Sequence, residues 1–167
     1  MKRLLITGPR LWTDTNVISG ALVDVRETWP QETIVLVSGN AVGFDRLTEH
    51  AAEAFGGWEI ERHPVSADQW KTGGKGAGHA RNARMTGLGA DLCIAGAMAC
   101  ATRRCSQKGT HLTHGTANCS GLAMLAGIPV RWYSPGPVVP DVAPCERCEL
   151  QRGCLPGACR TIGKVRA

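Results

Sequence analysis

The sequence predicts an α/β fold: a parallel sheet of about five strands with helices on both faces, followed by a cysteine-rich C-terminal tail. Short runs of β-forming residues alternate along the chain with segments whose apolar residues recur at helical spacing. Most of the strand segments are apolar at nearly every position, which is typical of strands that helices cover on both faces. The crossovers between such strands are expected to be right-handed.

Different patterns mark the first strand and the first helix. LLIT (4–7) is a short apolar run and predicts the first strand. From about 14 to 29 the apolar residues recur at helical spacing, at Val17, Ile18, Ala21, Leu22 and Val25. Asp14 is placed to cap this helix, and Pro30 ends it.

The next three elements continue the alternation. TIVLVS (33–38) predicts the second strand. The amphipathic run 44–55 predicts the second helix, which Gly56 and Gly57 close. WEIERH (58–63) is more polar, so we expect a third strand nearer the edge of the sheet.

The second half of the domain repeats the pattern with one interruption. Residues 73–89 open with glycines and are predicted to continue as a helix, and ADLCIA (90–95) predicts the fourth strand. Residues 115–126 are predicted to be helical, and IPVRWY (128–133) predicts the fifth strand. The intervening residues 97–114 are too many for a plain loop and are interpreted as an insertion.

The composition bounds the class of protein. The chain has 167 residues, enough for one domain with a hydrophobic core, and its longest apolar runs are too short to cross a bilayer. We expect no secretory signal, and hence a cytoplasmic protein without a membrane partner. Five basic and two acidic residues from Cys145 onward supply +3 of the net charge of +5. A general nucleic-acid-binding surface on the body is therefore not expected.

Prolines separate the domain from the tail. We predict a ligand-binding domain over 1–134, a proline-rich linker over 135–144 and a basic, cysteine-rich tail over 145–167. The tail has few apolar side chains with which to form a core, and a bound metal can supply folding energy instead. Zinc is the expected metal and an iron–sulfur cluster the alternative; a disordered tail with reduced thiols is the third reading. The predicted ligands are Cys145, Cys148, Cys154 and Cys159.

A glycine-rich turn follows the second strand, at the end of an open parallel sheet where ligands bind. Gly39 and Gly43 would let backbone amides approach an anion, and the following helix N-terminus carries a partial positive charge. Asp45 could cap exposed amides or accept a hydrogen bond from a sugar hydroxyl. The structural alternative is a tight turn followed by a helix-start residue.

Other strand ends and one basic segment carry similar features. Arg10 offers a planar fork for phosphate, and Trp12 a flat surface for a base. Each also has a structural reading, Arg10 in a surface ion pair and Trp12 in the core. Together, these features favour a phosphate-bearing ligand. The glycine-rich segment 70–85 contributes Lys71, Lys75, Arg81, Asn82 and Arg84.

Cysteines and histidines cluster in the insertion and just after it. Mixed thiolate and imidazole ligands suit tetrahedral zinc. The alternative is an exposed insertion whose histidines, His111 and His114, help to bind phosphate. A second possible zinc site is therefore predicted at Cys100, Cys105, His111 and Cys119.

Five blocks of the sequence resemble successive blocks of the YspA/cpYpsA-related SLOG family, which belongs to the superfamily joining DprA proteins with LOG-type enzymes. The blocks are LLITGPRLWTD, SGNAVGFDRLTEHAA, HPVSADQWKTGGKGAGHARNARM, GADLCIA and HGTANCSGLAMLAGIPVRWY. The resemblance covers about 4–133 and implies a Rossmann-like fold with a nucleotide-derived ligand. The ligand-facing residues that it implies are Gly8, Arg10, Trp12, Gly39, Gly43, Asp45, Arg81, Asn82, Gly115 and Thr116.

The sequence departs from the enzymes of that superfamily at one point. LOG-type phosphoribohydrolases carry acidic residues just after the Gly-Thr pair, whereas Gly115 and Thr116 are followed here by Ala-Asn-Cys-Ser. Cleavage of an N-glycosidic bond needs a nearby anion and an acid or base for water. Asp45 is the candidate catalytic carboxylate, with Asp14 as a second. The sequence leaves open whether the ligand is sensed, sequestered or cleaved.

Two functions follow from these observations. The first is binding of a nucleotide or nucleotide-derived ligand at the carboxyl ends of the strands. A homo-oligomer is compatible with this function. The second is an adaptor that contacts nucleic acid or protein through the metal-clipped basic tail. A DprA-like single-stranded DNA function would require more basic and aromatic surface than the nearly neutral body offers.

Overall fold

Five parallel strands form the central sheet of the computed structural model, which describes residues 1–103 and 105–135 and, at Lys75, the backbone alone. The strands are β1 (Lys2–Thr7), β2 (Ile34–Ser38), β3 (Trp58–Arg62), β4 (Leu92–Gly96) and β5 (Val130–Tyr133). The helices are α1 (Thr15–Thr28), α2 (Phe44–Phe55), α3 (Ala67–Gly73), α4 (Lys75–Gly87) and α5 (His114–Leu125). The predicted α/β fold with a five-strand parallel sheet is therefore confirmed.

The strand order determines where a ligand can approach the sheet. It is β3-β2-β1-β4-β5, and every neighbouring pair is parallel. This is the order of the first five strands of a Rossmann fold. The chain moves outward from β1 through β2 to β3 and then crosses to β4, so the order reverses between β1 and β4. Ligands of such sheets bind near this reversal, beyond the carboxyl ends of the strands.

Each face of the sheet has its own hydrophobic core. Leu4 and Ile6 of β1 face α1 and α2, where Leu22 and Phe44 pack with them. The intervening residue of β1 lies in the second cluster, beneath α4 and α5; that cluster consists of Leu5, Val35, Val37, Met85, Cys93, Cys119, Ala123 and Ile128. β2, β4 and most of β1 are buried on both faces for this reason, as their apolar sequence predicts.

Several local predictions are confirmed. The side chain of Asp14 caps α1 and accepts hydrogen bonds from the amides of Asn16 and Val17, both at 3.1 Å. β3 is the edge strand next to β2, as its polar sequence indicates. In the part of the chain that the structure describes, no helix is long and apolar enough to cross a membrane.

The helix predicted over 73–89 forms as α4 (Lys75–Gly87), and an additional helix that was not predicted, α3, precedes it. Ser66 and Gln69 form a reciprocal capping box, which begins α3 at Ala67. Gly74, with φ of 50°, then ends α3 and precedes α4. A positive φ is compatible with glycine and interrupts the helical ladder, so α3 and α4 are separate helices.

The insertion between β4 and α5 is held by a few backbone contacts. Ala99 and Leu112 form an isolated antiparallel bridge. The amide of Cys100 donates to the carbonyl of His111 at 2.8 Å, and the amide of Thr113 donates to Met98 at 3.2 Å. These contacts bring both ends of the insertion together at the carboxyl end of β4. The predicted tail and nearly all of the predicted linker lie outside the described residues.

Candidate functional site

The turns after β1 and β2 pack against each other at the carboxyl edge of the sheet. The amide of Phe44 donates to the carbonyl of Pro9 at 3.1 Å. Gly43 has φ of 87°, and a Cβ there would lie 2.4 Å from the carbonyl oxygen of Arg10. The close approach of the two turns therefore requires a glycine at this position. This agrees with the structural alternative given above, a tight turn.

The phenyl ring of Phe44 occupies the space directly above the strand reversal. A Cβ on Gly8, after β1, would lie 2.2 Å from Phe44 Cγ, and one on Gly96, at the end of β4, would lie 2.7 Å from Phe44 Cδ2. The polar groups of the candidate site consequently lie beside this ring, over the end of β2.

Arg81 extends from α4 across the end of β2. Its guanidinium lies over Gly39, where a Cβ would be 1.2 Å from Nη1. The side chain of Arg81 is 15 % exposed, and its Nε and Nη1 are buried without a hydrogen-bond partner in the described chain. Buried donors are nearly always paired in folded proteins. The guanidinium therefore keeps two donors that the described chain does not use.

Asp45 lies beside Arg81 in the first turn of α2. Its Oδ2 is 3.9 Å from Arg81 Nη1, too far for a hydrogen bond, and accepts a hydrogen bond from the amide of Ala41 at 3.2 Å. Burial raises the pKa of Asp45 to about 6, although the positive charge of Arg81 acts in the opposite direction. The carboxyl group thus changes its charge close to neutral pH, a common property of functional carboxylates.

A buried carboxylate that sequence reasoning missed holds the turn after β2. Glu49 accepts a hydrogen bond from Ser38 Oγ at 2.5 Å and one from Arg62 Nε at 2.6 Å. Among the described residues, Asn40 is the one non-glycine residue with a positive φ (53°). Its side-chain amide donates a hydrogen bond to Glu49 Oε2 at 3.3 Å. Glu49 lies one helical turn after Asp45. This four-residue spacing, which places both carboxylates on the same face of α2, is the sequence feature that could have identified Glu49. Its hydrogen bonds give it a structural role in shaping the turn.

α4 also contacts the start of α5. The side-chain amide of Asn82 donates to Asn118 Oδ1 at 2.9 Å and approaches the carbonyl oxygen of Gly115 at 3.4 Å. Thr116 is buried, and its hydroxyl lies 2.8 Å from that of Thr113. Asn82 thus connects Arg81, its neighbour in α4, with Gly115 at the start of α5.

Two other predicted residues have different surroundings. Trp12 is 2 % exposed, meets the ring of Phe44 edge-on with centroids 5.0 Å apart, and donates its Nε1–H to the carbonyl of Asp14. It lies in the core, which leaves it no open face for a base. Arg10 is exposed, and its guanidinium lies 5.6 Å from the ring centroid of Trp70. The prediction did not single out Trp70, although it opens the basic, glycine-rich segment.

Four side chains of the insertion and the start of α5 converge. They are Cys100, Cys105, His111 and His114, whose ligand atoms all lie within 4.8 Å of one another, and they could hold a metal ion.

The predicted composition of this second site is corrected at one position. Cys119 lies in the core beneath α5, where burial raises the pKa of its thiol to about 11, and His114 is the fourth member of the cluster instead. By contrast, hydrogen bonds from Thr102 lower the pKa of Cys100 to about 7.

Comparison with known proteins agrees with this architecture. The model of the YspA, cpYpsA-related SLOG family matches residues 2–69, which contain β1, β2, β3 and the turns between them. The Gene 61 protein of Mycobacterium phage D29 is 34 % identical over 132 residues, covering 78 % of this chain and 94 % of that protein. No solved structure matches. The chain belongs to the YspA, cpYpsA-related SLOG family.

Proposed function

We propose that the protein binds a nucleotide or nucleotide-derived ligand at the carboxyl edge of the sheet, with an anionic group of the ligand on Arg81. The observation that carries this proposal is the pair of buried donors, Arg81 Nε and Nη1, without an acceptor in the described chain. A buried donor left unpaired costs about 1–3 kcal/mol. A phosphate would pair with one of these donors together with Nη2, because the parallel N–H pairs of a guanidinium are Nε/Nη2 and Nη1/Nη2.

The surroundings of Arg81 support an anionic ligand. The site lies beside the reversal of strand order, the common ligand position in open α/β sheets. α2 and α5 both begin at this edge, and the partial positive charge of a helix N-terminus favours anions. The absence of a side chain on Gly39 leaves room for the guanidinium. Membership of a SLOG family agrees with a nucleotide-related role.

Other predicted residues take secondary places in the proposal. Asp45 would accept a hydrogen bond from a ligand hydroxyl when ionised. Arg10 would add an exposed positive charge beside Trp70 at the entrance. The further proposed contacts are Lys75, Asn82, Gly115 and Thr116.

N-glycosidic cleavage of the bound ligand is a second candidate function, favoured by the pKa of about 6 at buried Asp45. A carboxyl group with such a pKa can donate or accept a proton near neutrality. Glu49, the other buried carboxylate of α2, is engaged by Ser38 and Arg62, so Asp45 would act without it. Chromatography of a nucleoside monophosphate incubated with the protein tests this candidate. Release of the free base in wild type, and its loss in Asp45→Asn, is the expected result for an enzyme.

Calorimetry against a panel of nucleoside mono-, di- and triphosphates tests the binding proposal. Arg81→Ala and Arg81→Lys should weaken the binding of the best ligand by about 10- to 100-fold, the range of a charged hydrogen bond. Arg84→Ala removes an exposed arginine of the same helix and is the matched control, with unchanged affinity expected. Equal affinity of wild type and both Arg81 variants would remove Arg81 from the site.

The adaptor function and the metals stay as separate proposals. Deletion of residues 141–167 should leave nucleotide binding intact, whereas loss of a protein or nucleic-acid partner on the same deletion would support the adaptor. Zinc is the metal that we propose for the Cys/His cluster of the insertion, because two thiolates and two imidazoles form a common tetrahedral donor set. Zinc in the tail, at Cys145, Cys148, Cys154 and Cys159, is a proposal that lies outside the described residues.

A further inference from the structure

We infer that zinc bound by Cys100, Cys105, His111 and His114 fastens the insertion to the start of α5 and thereby fixes one wall of the ligand site. The claim that zinc fixes one wall of the ligand site rests on the proposed function. The zinc site itself is inferred from the geometry of the four side chains and does not depend on the proposed nucleotide.

Cys105 lies at the centre of the cluster. Its Sγ is 3.2 Å from Nε2 of His111 and 3.1 Å from Nε2 of His114. A thiol has one proton to donate and is only a weak acceptor, so it pairs poorly with two imidazole nitrogens at once. In a tetrahedral zinc site with Zn–S near 2.3 Å and Zn–N near 2.05 Å, neighbouring donors are about 3.3–3.8 Å apart. The observed separations are close to this spacing, so a small adjustment would accommodate the ion.

The orientation of His111 favours a metal ligand. Its Nδ1 lies 2.9 Å from the carbonyl oxygen of Gly109, which can only accept a hydrogen bond. The proton is therefore placed on Nδ1, and Nε2 keeps its lone pair toward Cys105. Metal-bound histidines are held in this way, with the second nitrogen donating to a backbone carbonyl or a carboxylate.

The insertion buries few side chains, so bound zinc would stabilise it more than it would the rest of the domain. Most of residues 101–110 are exposed, while Leu112 is buried near the end of the insertion. Ordering a residue costs about 1–2 kcal/mol in backbone entropy. A structural zinc can supply about 10 kcal/mol or more near neutral pH.

His114 connects the clip to the ligand site. It is the first residue of α5, and the next residue, Gly115, approaches the side-chain amide of Asn82. Asn82 directly follows Arg81 in α4. Within the described chain, no side chain caps the start of α5, so its first amides depend on the position of residues 113 and 114. Fixing His114 through zinc would hold the start of α5 against Asn82, the neighbour of Arg81 in α4.

The metal part is tested by elemental analysis of full-length, untagged protein and by cobalt substitution. A Cys145→Ser/Cys148→Ser variant removes two tail thiols and should retain one zinc equivalent and give the cobalt absorption of a tetrahedral site with thiolate ligands. Adding Cys105→Ser or His114→Ala to that variant should abolish both signals. Adding His50→Ala, an exposed histidine of α2, is the matched control and should change neither. No metal in the tail variant, or a Cys100–Cys105 disulfide in its place, would overturn the inference.

The link to α5 is tested on the same tail variant with and without zinc. Hydrogen exchange at residues 113–117 should become faster on metal removal and recover on reloading, a result that needs no nucleotide. Unchanged exchange would overturn the link.

If a nucleotide binds, its affinity should fall about 5-fold or more without zinc, within the usual range of coupling between sites. Equal affinity would also overturn the link to the site. Failure of every nucleotide to bind would refute the proposed function alone, because the metal and exchange results are read separately.

Discussion

Replacement of Asp45 by asparagine should stabilise the protein at neutral pH, and increasingly so as the pH rises. Burial raises the pKa of this carboxyl from 3.8 to about 6. Between these two values the folded protein holds a proton that the unfolded chain has lost. Above pH 6 the folded protein must bury the negative charge. The favourable contribution of the protonated group is therefore present at acid pH and lost as the pH rises through 6.

The magnitude follows from the shift of the pKa. Asparagine carries no charge and can still accept the hydrogen bond from the amide of Ala41 through its carbonyl oxygen. With 1.36 kcal/mol for each pKa unit, Asp45→Asn should gain about 1 kcal/mol over wild type at pH 4.5 and about 3 kcal/mol at pH 7.5. The sequence alone suggested a helix-start residue or a group that accepts a hydrogen bond from a sugar hydroxyl, and neither role predicts this gain. Burial beside Arg81 is what changes that expectation.

Urea unfolding of both proteins at pH 4.5, 6.0 and 7.5 measures this difference. Asp68→Asn is the matched control, because Asp68 is an exposed aspartate in the first turn of α3. It should lose a favourable charge–dipole interaction and become less stable by about 0.3–1 kcal/mol at neutral pH, the opposite sign. A free-energy gap between Asp45→Asn and wild type that stays constant from pH 4.5 to 7.5 would refute the reasoning.

Three further predictions address the site and its frame. Gly39→Ala places a Cβ where the Arg81 guanidinium lies, so calorimetry should show about 10-fold weaker nucleotide binding; affinity equal to wild type would contradict this. Glu49→Gln removes the charge that holds Ser38 and Arg62, and urea unfolding should show a loss of about 1–3 kcal/mol, while no change would make that network unimportant. Gly121→Ala adds a methyl group to open space within α5, and the free energy of unfolding should rise by about 0.5–1 kcal/mol; a decrease would indicate a contact that the described chain does not contain.

The fold was largely predictable because its signals are local. The apolar runs of β1, β2 and β4 predict buried parallel strands, and Asp14 caps α1 as expected. The helix α3 was not predicted. It begins with the capping box of Ser66 and Gln69, a signal that the apolar spacing used for the other helices does not include.

The site was only partly predictable because tertiary contacts decide which face of a residue is available. Trp12 could have stacked on a base, but the ring of Phe44 places it in the core. Cys119 and His114 were both candidate ligands by spacing, and the direction of α5 turns Cys119 toward the sheet and His114 toward Cys105. Arg81 was singled out correctly as a basic residue, whereas its position over Gly39 required the folded structure.

The Arg81–Asp45 pair joins two helices that pack on opposite faces of the sheet. α4 belongs to the core that contains Met85, and α2 to the core that contains Phe44. A small displacement of either helix would therefore change the distance between the same two charges. If the proposed ligand binds at this pair, mutations that alter ligand preference are consequently expected in both hydrophobic layers as well as among the residues proposed to touch the ligand.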